Sequence, residues 1–272
     1  ICVLSSSNIT LQGLDIGHAL SSSEQDYSPM ARVSDASNIV FNGVTVHGSL
    51  DNDPGNDGRG IQVANSSGIT VTNSEFTQLS TGIVFNGSSN ITVKNNNVHG
   101  MRSDGMDFAS TSQVLIDGNS FRDFSPAEGD HPDAIQFWNK TGSSSVRDVT
   151  IINNVVLAGT SSGSQGIFMS DNGGYAYKNV LIQNNLIFTG GQWNGILVAG
   201  ADGVKVIGNT VLSPSNDSLM AWIRMEEITN GLVQNNVTDK IVNEGAHTAV
   251  LINNLSINGN AAAQALIPSL LH

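Results

Sequence analysis

An all-β solenoid is the fold class this sequence predicts, and three observations carry that prediction. A short strand motif closing on asparagine recurs from one end of the chain to the other. Within each copy apolar and polar residues alternate, the period of a half-buried strand and not of a helix. The spacing between copies varies, 30 residues from Ile39 to Ile69 but 22 from Ile69 to Ile91. A constant strand with variable insertions is how stacked-coil sequences behave.

The copies read Ile9-Thr10-Leu11-Gln12-Gly13, Ile39-Val40-Phe41-Asn42-Gly43, Ile69-Thr70-Val71-Thr72-Asn73-Ser74 and Ile91-Thr92-Val93-Lys94-Asn95-Asn96. Further copies begin at Val149, Val180, Val204, Leu232 and Val250. In each, residues such as Ile91 and Val93 point one way while Thr92 and Lys94 point the other. One coil cannot bury that apolar side alone, so coils must stack at roughly 4.8 Å per layer around a shared core. Asn96, Asn119, Asn154, Asn185, Asn209, Asn236 and Asn254 then fall above one another. They are read as a structural ladder, whose amides hydrogen-bond from coil to coil at a turn.

A second strand follows in each coil, usually opening on Gly or Ala: Gly60-Ile61-Gln62-Val63, Gly105-Met106-Asp107-Phe108, Ala134-Ile135-Gln136-Phe137 and Trp222-Ile223-Arg224-Met225 among them. Aligned, these strands put Ile61, Ile83, Met106, Ile135, Ile167, Ile196 and Ile223 in an inward row. The outward row holds Gln62, Val84, Asp107, Gln136, Phe168, Leu197 and Arg224. The architecture is therefore an all-β, single-stranded right-handed parallel β-helix, a solenoid of about ten coils. It spans 1–260, with 261–272 as a C-terminal cap or tail.

Composition narrows the function classes. Apolar residues make up 39% and charged residues 12% of the 272, with no apolar run near the roughly 20 residues a membrane-spanning helix needs. A net charge of −12 would repel nucleic acid. A single cysteine, Cys2, leaves no internal disulfide framework. With few lysines, this fits a secreted, extracellular bacterial protein stabilised by stacking. The chain opens on Ile1 without a signal peptide, which predicts that it belongs to a longer polypeptide with further domains.

Two neighbouring coils concentrate chemistry, His99-Gly100-Met101-Arg102-Ser103-Asp104-Gly105-Met106-Asp107 and Glu128-Gly129-Asp130-His131-Pro132-Asp133-Ala134-Ile135-Gln136-Phe137-Trp138. Asp104 and Asp133 precede their strands at the same offset, so they stack one layer apart, as do Asp107 and Gln136. The patch admits three readings. Asp104, Asp107, Asp130 and Asp133 form an oxygen-rich set suited to Ca²⁺. Alternatively, crowded carboxylates split into one protonated acid and one ionised base, the pair glycoside hydrolysis uses. Or each aspartate caps a turn. His131 is a candidate acid or base. Trp138 offers a ring on which a sugar can stack. Arg59, Gln62, Arg102, Gln136 and Arg224 are candidate substrate contacts, the arginines for a sugar carboxylate. Arg224 beside Glu226 also reads as a surface ion pair.

These coils resemble the parallel β-helix carbohydrate-active superfamily of pectate and alginate lyases, mannuronan C5-epimerases and polygalacturonases. Ser103-Asp104-Gly105-Met106-Asp107 is similar to the polygalacturonase motif Asn-Thr-Asp-Gly-Ile-Asp, and Pro132-Asp133-Ala134-Ile135 falls where that family has an Asp pair. The resemblance implies Asp104 and Asp133 as catalytic carboxylates. That family's Gly-His-Gly is replaced by Ser164-Gln165-Gly166. The epimerase motif Asp-Pro-His has its nearest match in Asp130-His131-Pro132-Asp133. The resulting expectation is an enzyme acting on a polysaccharide, a lyase or C5-epimerase with Asp104, Asp107, His131 and Asp133 as catalytic residues. Bound Ca²⁺ would offset the acidic charge against a uronate chain. A glycoside hydrolase using Asp104 and Asp133, and a non-catalytic glycan-binding, adhesin or tailspike-type solenoid, are the alternatives.

Overall fold

The computed structural model describes residues 1–139, 145–159, 163–170, 177–191, 193–214 and 219–257. Every strand pairing within it is parallel, and the strands stack as ten coils. Each coil contributes to three sheets. Sheet 1 runs from Cys2–Leu4 through Met106–Ala109 and Asp133–Trp138 to Lys240–Glu244. Sheet 2 runs from Ser7–Gln12 through Ser112–Asp117 to Val250–Ile252 and carries the Asn-terminated motif. The long strand Asn194–Ile207 passes through both sheets. Sheet 3 is ten-stranded, running from Asp15–Gly17 to Leu255–Ser256. The fold is the right-handed parallel β-helix read from the sequence. Among the described residues no helix is long and apolar enough to cross a membrane. Residues 261–272, read as a cap or tail, lie outside the described residues.

Period-2 alternation becomes a continuous core. The inward row of sheet 1, from Ile61 to Ile223, is fully buried, as are Ile91 and Val93 of sheet 2. Each such side chain contributes about 1.5–3 kcal/mol on leaving water. Three phenylalanines stack inside sheet 1, Phe85 on Phe108 at 5.0 Å and Phe108 on Phe137 at 4.6 Å between ring centroids. They lie directly beneath the two chemistry-dense coils.

The asparagine ladder is continuous. In the middle of it, Asn154 Oδ1 accepts from the Asn119 backbone N–H at 2.9 Å and from Asn119 Nδ2 at 3.0 Å. Asn154 in turn donates both groups to Asn185 Oδ1, at 2.9 and 3.0 Å. The same pair of bonds joins Asn185 to Asn209, Asn209 to Asn236 and Asn236 to Asn254. The turn itself belongs to the preceding residue, which holds a positive φ: Asn95, Asn153 and Asn184, or Gly118 and Gly208. One asparagine bends the chain and the next fastens it, which is why the sequence doubles them.

Candidate functional site

The site forms where sheet 3 turns into sheet 1. Gly105 lies between Asp104 and the inward Met106, and the chain there is pressed against its neighbours. A Cβ on Gly105 would sit 2.5 Å from the Ala134 carbonyl and 2.8 Å from the Phe121 ring. Backbone bonds carry the register upward: Gly60 N–H to Thr81 O at 2.9 Å, Gly82 N–H to Asp104 O at 3.1 Å, Gly105 N–H to Asp133 O at 2.8 Å. Arg59, Thr81, Asp104 and Asp133 are thus consecutive members of one leading column. Asp133 pairs onward with Gln165. The outward column beside it runs Gln62, Val84, Asp107, Gln136, Phe168 and Leu197.

Three carboxyl groups meet at the junction of these columns. Asp104 Oδ1 accepts the Asp133 backbone N–H at 2.8 Å, and Ser103 Oγ donates to Asp104 Oδ2 at 3.2 Å. Asp104 and Asp107 are close enough for each carboxyl to shift the titration of the other. Gln136 Nε2 donates to Asp133 Oδ2 at 2.8 Å. Asp107 is 4% exposed and Asp133 0% exposed, while Asp104 is half-buried. Among the described residues, Oδ1 of Asp107 and Oδ1 of Asp133 are buried without a hydrogen-bond partner.

Burial sets the protonation of this cluster. Asp104 is raised above the usual carboxylate range chiefly by desolvation, against the Asp133 N–H, Ser103 and the His131 charge, which favour the anion. Asp107 is pushed well up by burial and then by the Asp104 charge, with Arg59 opposing. Asp133 is likewise pushed well up by burial and by Asp104, with the Gln136 amide opposing. Three close carboxyls therefore resist ionising together, and the charge of Asp104 pushes protons onto Asp107 and Asp133.

The sequence-predicted residues divide. Asp104, Asp107, Asp133 and Gln136 come together, with the exposed His131 beside Asp104 and the charge of Arg59 acting on Asp107. Asp107 faces outward by register but is covered rather than open. Gln62 is separated from Asp107 by Val84. Trp138 is half-buried, not the open stacking surface expected. Asp130 does not join the carboxyl cluster as a Ca²⁺ ligand would, because its carboxylate takes Arg102 Nε at 3.2 Å and the Ala127 N–H at 3.3 Å. Arg102 is correspondingly not free for a sugar carboxylate: it bridges Asp130 and Asp26, the latter at 3.4 Å. Arg224 lies three coils beyond Gln136 and is held by Glu226 at 3.1 Å and Glu244 at 2.8 Å, so it is a surface ion pair. Among the described residues no group of three or more His, Cys, Asp or Glu is arranged to hold a metal ion, and the proposed four-aspartate set is not assembled.

One feature of the same face has no counterpart in the sequence reading. Trp193 and Trp222 meet at 5.6 Å between ring centroids, tilted by 42°. Trp222 pairs with Asn194 in the leading column, where Asn194 follows Gln165. The register slips between Asn194 and Ile196, which shifts Trp222 one residue nearer its inward neighbour than Asp104 or Asp133. Alignment by offset therefore misses it.

Fold and site together define a parallel β-helix bearing a buried carboxyl cluster on its outer face. The chain belongs to the right-handed β-helix family, whose model matches residues 1–211. No curated protein matches it in sequence. The surface adhesin PfbA of Streptococcus pneumoniae superposes with a TM-score of 0.66 at 15% identity, covering 93% of this chain and 60% of that one. The polygalacturonase of Erwinia carotovora ssp. carotovora gives 0.52 at 12% identity, covering 84% and 69%. The tailspike protein of E. coli bacteriophage HK620, in complex with a hexasaccharide, gives 0.53 at 13% identity, covering 92% and 46%. At these identities the likeness is one of fold.

Proposed function

We propose that this chain is an extracellular glycoside hydrolase acting on a polysaccharide, with Asp104 and Asp133 as its carboxyl pair. The observation that carries the reading is the Asp104–Asp107–Asp133 cluster, whose burial keeps carboxyls protonated where chemistry needs an acid. Asp104 is the member nearest solvent and the one whose charge pushes Asp107 and Asp133 up, so it serves as the ionised base. Asp133, one layer on and pushed well up by burial, is the proton donor; Gln136 donates to its Oδ2, and a sugar hydroxyl that takes the Gln136 amide uncovers it. The polygalacturonase among the structural neighbours supports hydrolysis, and the saccharide-bound tailspike supports a glycan ligand.

A lyase or C5-epimerase reading needs a cation against a uronate carboxylate. Arg59 supports it, because among the described residues it has no ion pair within 4 Å. Ca²⁺ could serve the same purpose only by drawing Asp104, Asp107 and Asp133 into a new arrangement. The PfbA likeness supports the non-catalytic alternative, a surface protein that holds its ligand unchanged.

Incubation with a panel of neutral and uronate polysaccharides, with and without chelator, separates the three. The hydrolase reading expects new reducing ends without ultraviolet absorbance from unsaturated sugars, and their loss in Asp104→Asn. Absorbance rising with the reducing ends would replace it by the lyase, and chelator sensitivity would restore Ca²⁺. Binding without any chemical change would replace it by the adhesin-type reading.

A further inference from the structure

We propose that Trp193 and Trp222 form a sugar-stacking subsite, which holds the far end of the glycan chain whose reacting bond lies at Asp104. The inference rests on the glycan reading above and adds the direction of the chain and a required length. Trp193 is 54% exposed, unusual for the largest apolar side chain. Its partner is immobilised: Trp222 Nε1 donates to Asn194 Oδ1 at 2.7 Å, and the Trp222 backbone N–H bonds the Trp193 carbonyl at 3.0 Å. Lys240 Nζ lies 5.5 Å from the Trp222 ring centroid, which occupies that indole with a cation. Trp193 is thus the open ring, carried on a fixed one whose own face holds the Lys240 ammonium.

Position supplies the occupant. The platform continues the leading column, Asp133 to Gln165 to Asn194 to Trp222, three layers or about 14 Å from the carboxyl cluster. Among the described residues the leading column between the two ends carries the amides of the buried Gln165 and the half-buried Asn194, and the outward column carries the half-buried Phe168 and the buried Leu197. Neutral hydrogen-bonding groups beside apolar surface suit sugar rings, which present hydroxyls at their edges and C–H groups on their faces. A nucleic acid or acidic peptide would meet a protein of net charge −12. A disaccharide over Asp104 cannot reach Trp193, whereas a hexasaccharide can.

The test uses the full chain carrying Asp104→Asn, which separates binding from turnover. Its partners are Asp104→Asn with Trp193→Ala and Asp104→Asn with Trp193→Phe. The probes are disaccharides and hexasaccharides of the cello-, xylo-, galacturono- and lacto- series, followed by calorimetry and tryptophan fluorescence. At least one hexasaccharide should bind and shift the fluorescence, with affinity falling about tenfold in the Ala variant and largely kept in the Phe variant. Disaccharides should show no difference among the three proteins. Hexasaccharide binding that ignores Trp193 would overturn the subsite while leaving the hydrolase reading intact, as would a Trp193 already shielded from quenchers without ligand. Binding by none of the probes would overturn it as well. Trp193-dependent binding of a glycan that the wild-type chain never cuts would instead keep the subsite and refute the hydrolase.

Discussion

The two polar columns of this solenoid solve the burial of hydrogen-bonding groups in opposite ways. Between sheets 2 and 3, each asparagine amide from Asn96 to Asn236 is buried and bonded on both sides. At the start of sheet 1, Asp107 and Asp133 are equally buried, yet each has an oxygen with no partner among the described residues. Neutral amides stacked in register strengthen one another, whereas stacked carboxyls repel and carry a desolvation cost. A repeat that needed only stability would place at the second position what it places at the first. The carboxyl column is therefore a departure that packing does not explain and the proposed function does. Asp57 gives a useful contrast: it too has an orphan buried oxygen, but its other oxygen closes its own loop on the Ser49 N–H at 2.6 Å, away from the cluster.

The comparison can be broken at either column. The largest effect should be chemical: Asp104→Asn should lower glycan turnover by about 10²–10⁴-fold, the usual worth of a general acid or base, while folding is kept. Reducing-end assays with circular dichroism check this, and full activity in that variant would return the cluster to turn capping. Next in size is Asn154→Ala, which strips partners from Asn119 and Asn185 together and should cost about 2–4 kcal/mol by denaturant unfolding. A loss as small as a surface substitution would mean that the ladder is decoration on a stack held by its apolar core. Arg224→Ala should do least, under about 1 kcal/mol and without effect on turnover, because its partners are half-exposed surface carboxylates.

Much of this was legible in the sequence because the repeat imposes it. Period-2 alternation fixed the inward row from Ile61 to Ile223, and equal offsets stacked Asp104 on Asp133 and Asp107 on Gln136. Sheet 3 was not legible, since strands such as Thr45–His47 and Val155–Leu157 bury one side chain each, too little for a periodic signal. The engagement of Arg102 was hidden because its partner Asp26 is 76 residues away, in a loop with no repeat to place it. Trp222 was hidden by a local register shift. What stacking dictates can be read from spacing; what loops and bulges add cannot.

The most direct test of the account is the pH dependence of stability in Asp107→Asn. A carboxyl raised by burial favours the folded state fully only below its unfolded value, about 4. That contribution is lost as pH rises through the folded value, because the unfolded chain releases the proton first. The asparagine variant escapes this loss. It should be more stable than the wild type at pH 8, and the gap should close toward pH 4, with turnover lowered less than in Asp104→Asn. A variant less stable than the wild type at every pH would contradict the account, since Asp107 would then be a structural group like the asparagines opposite it.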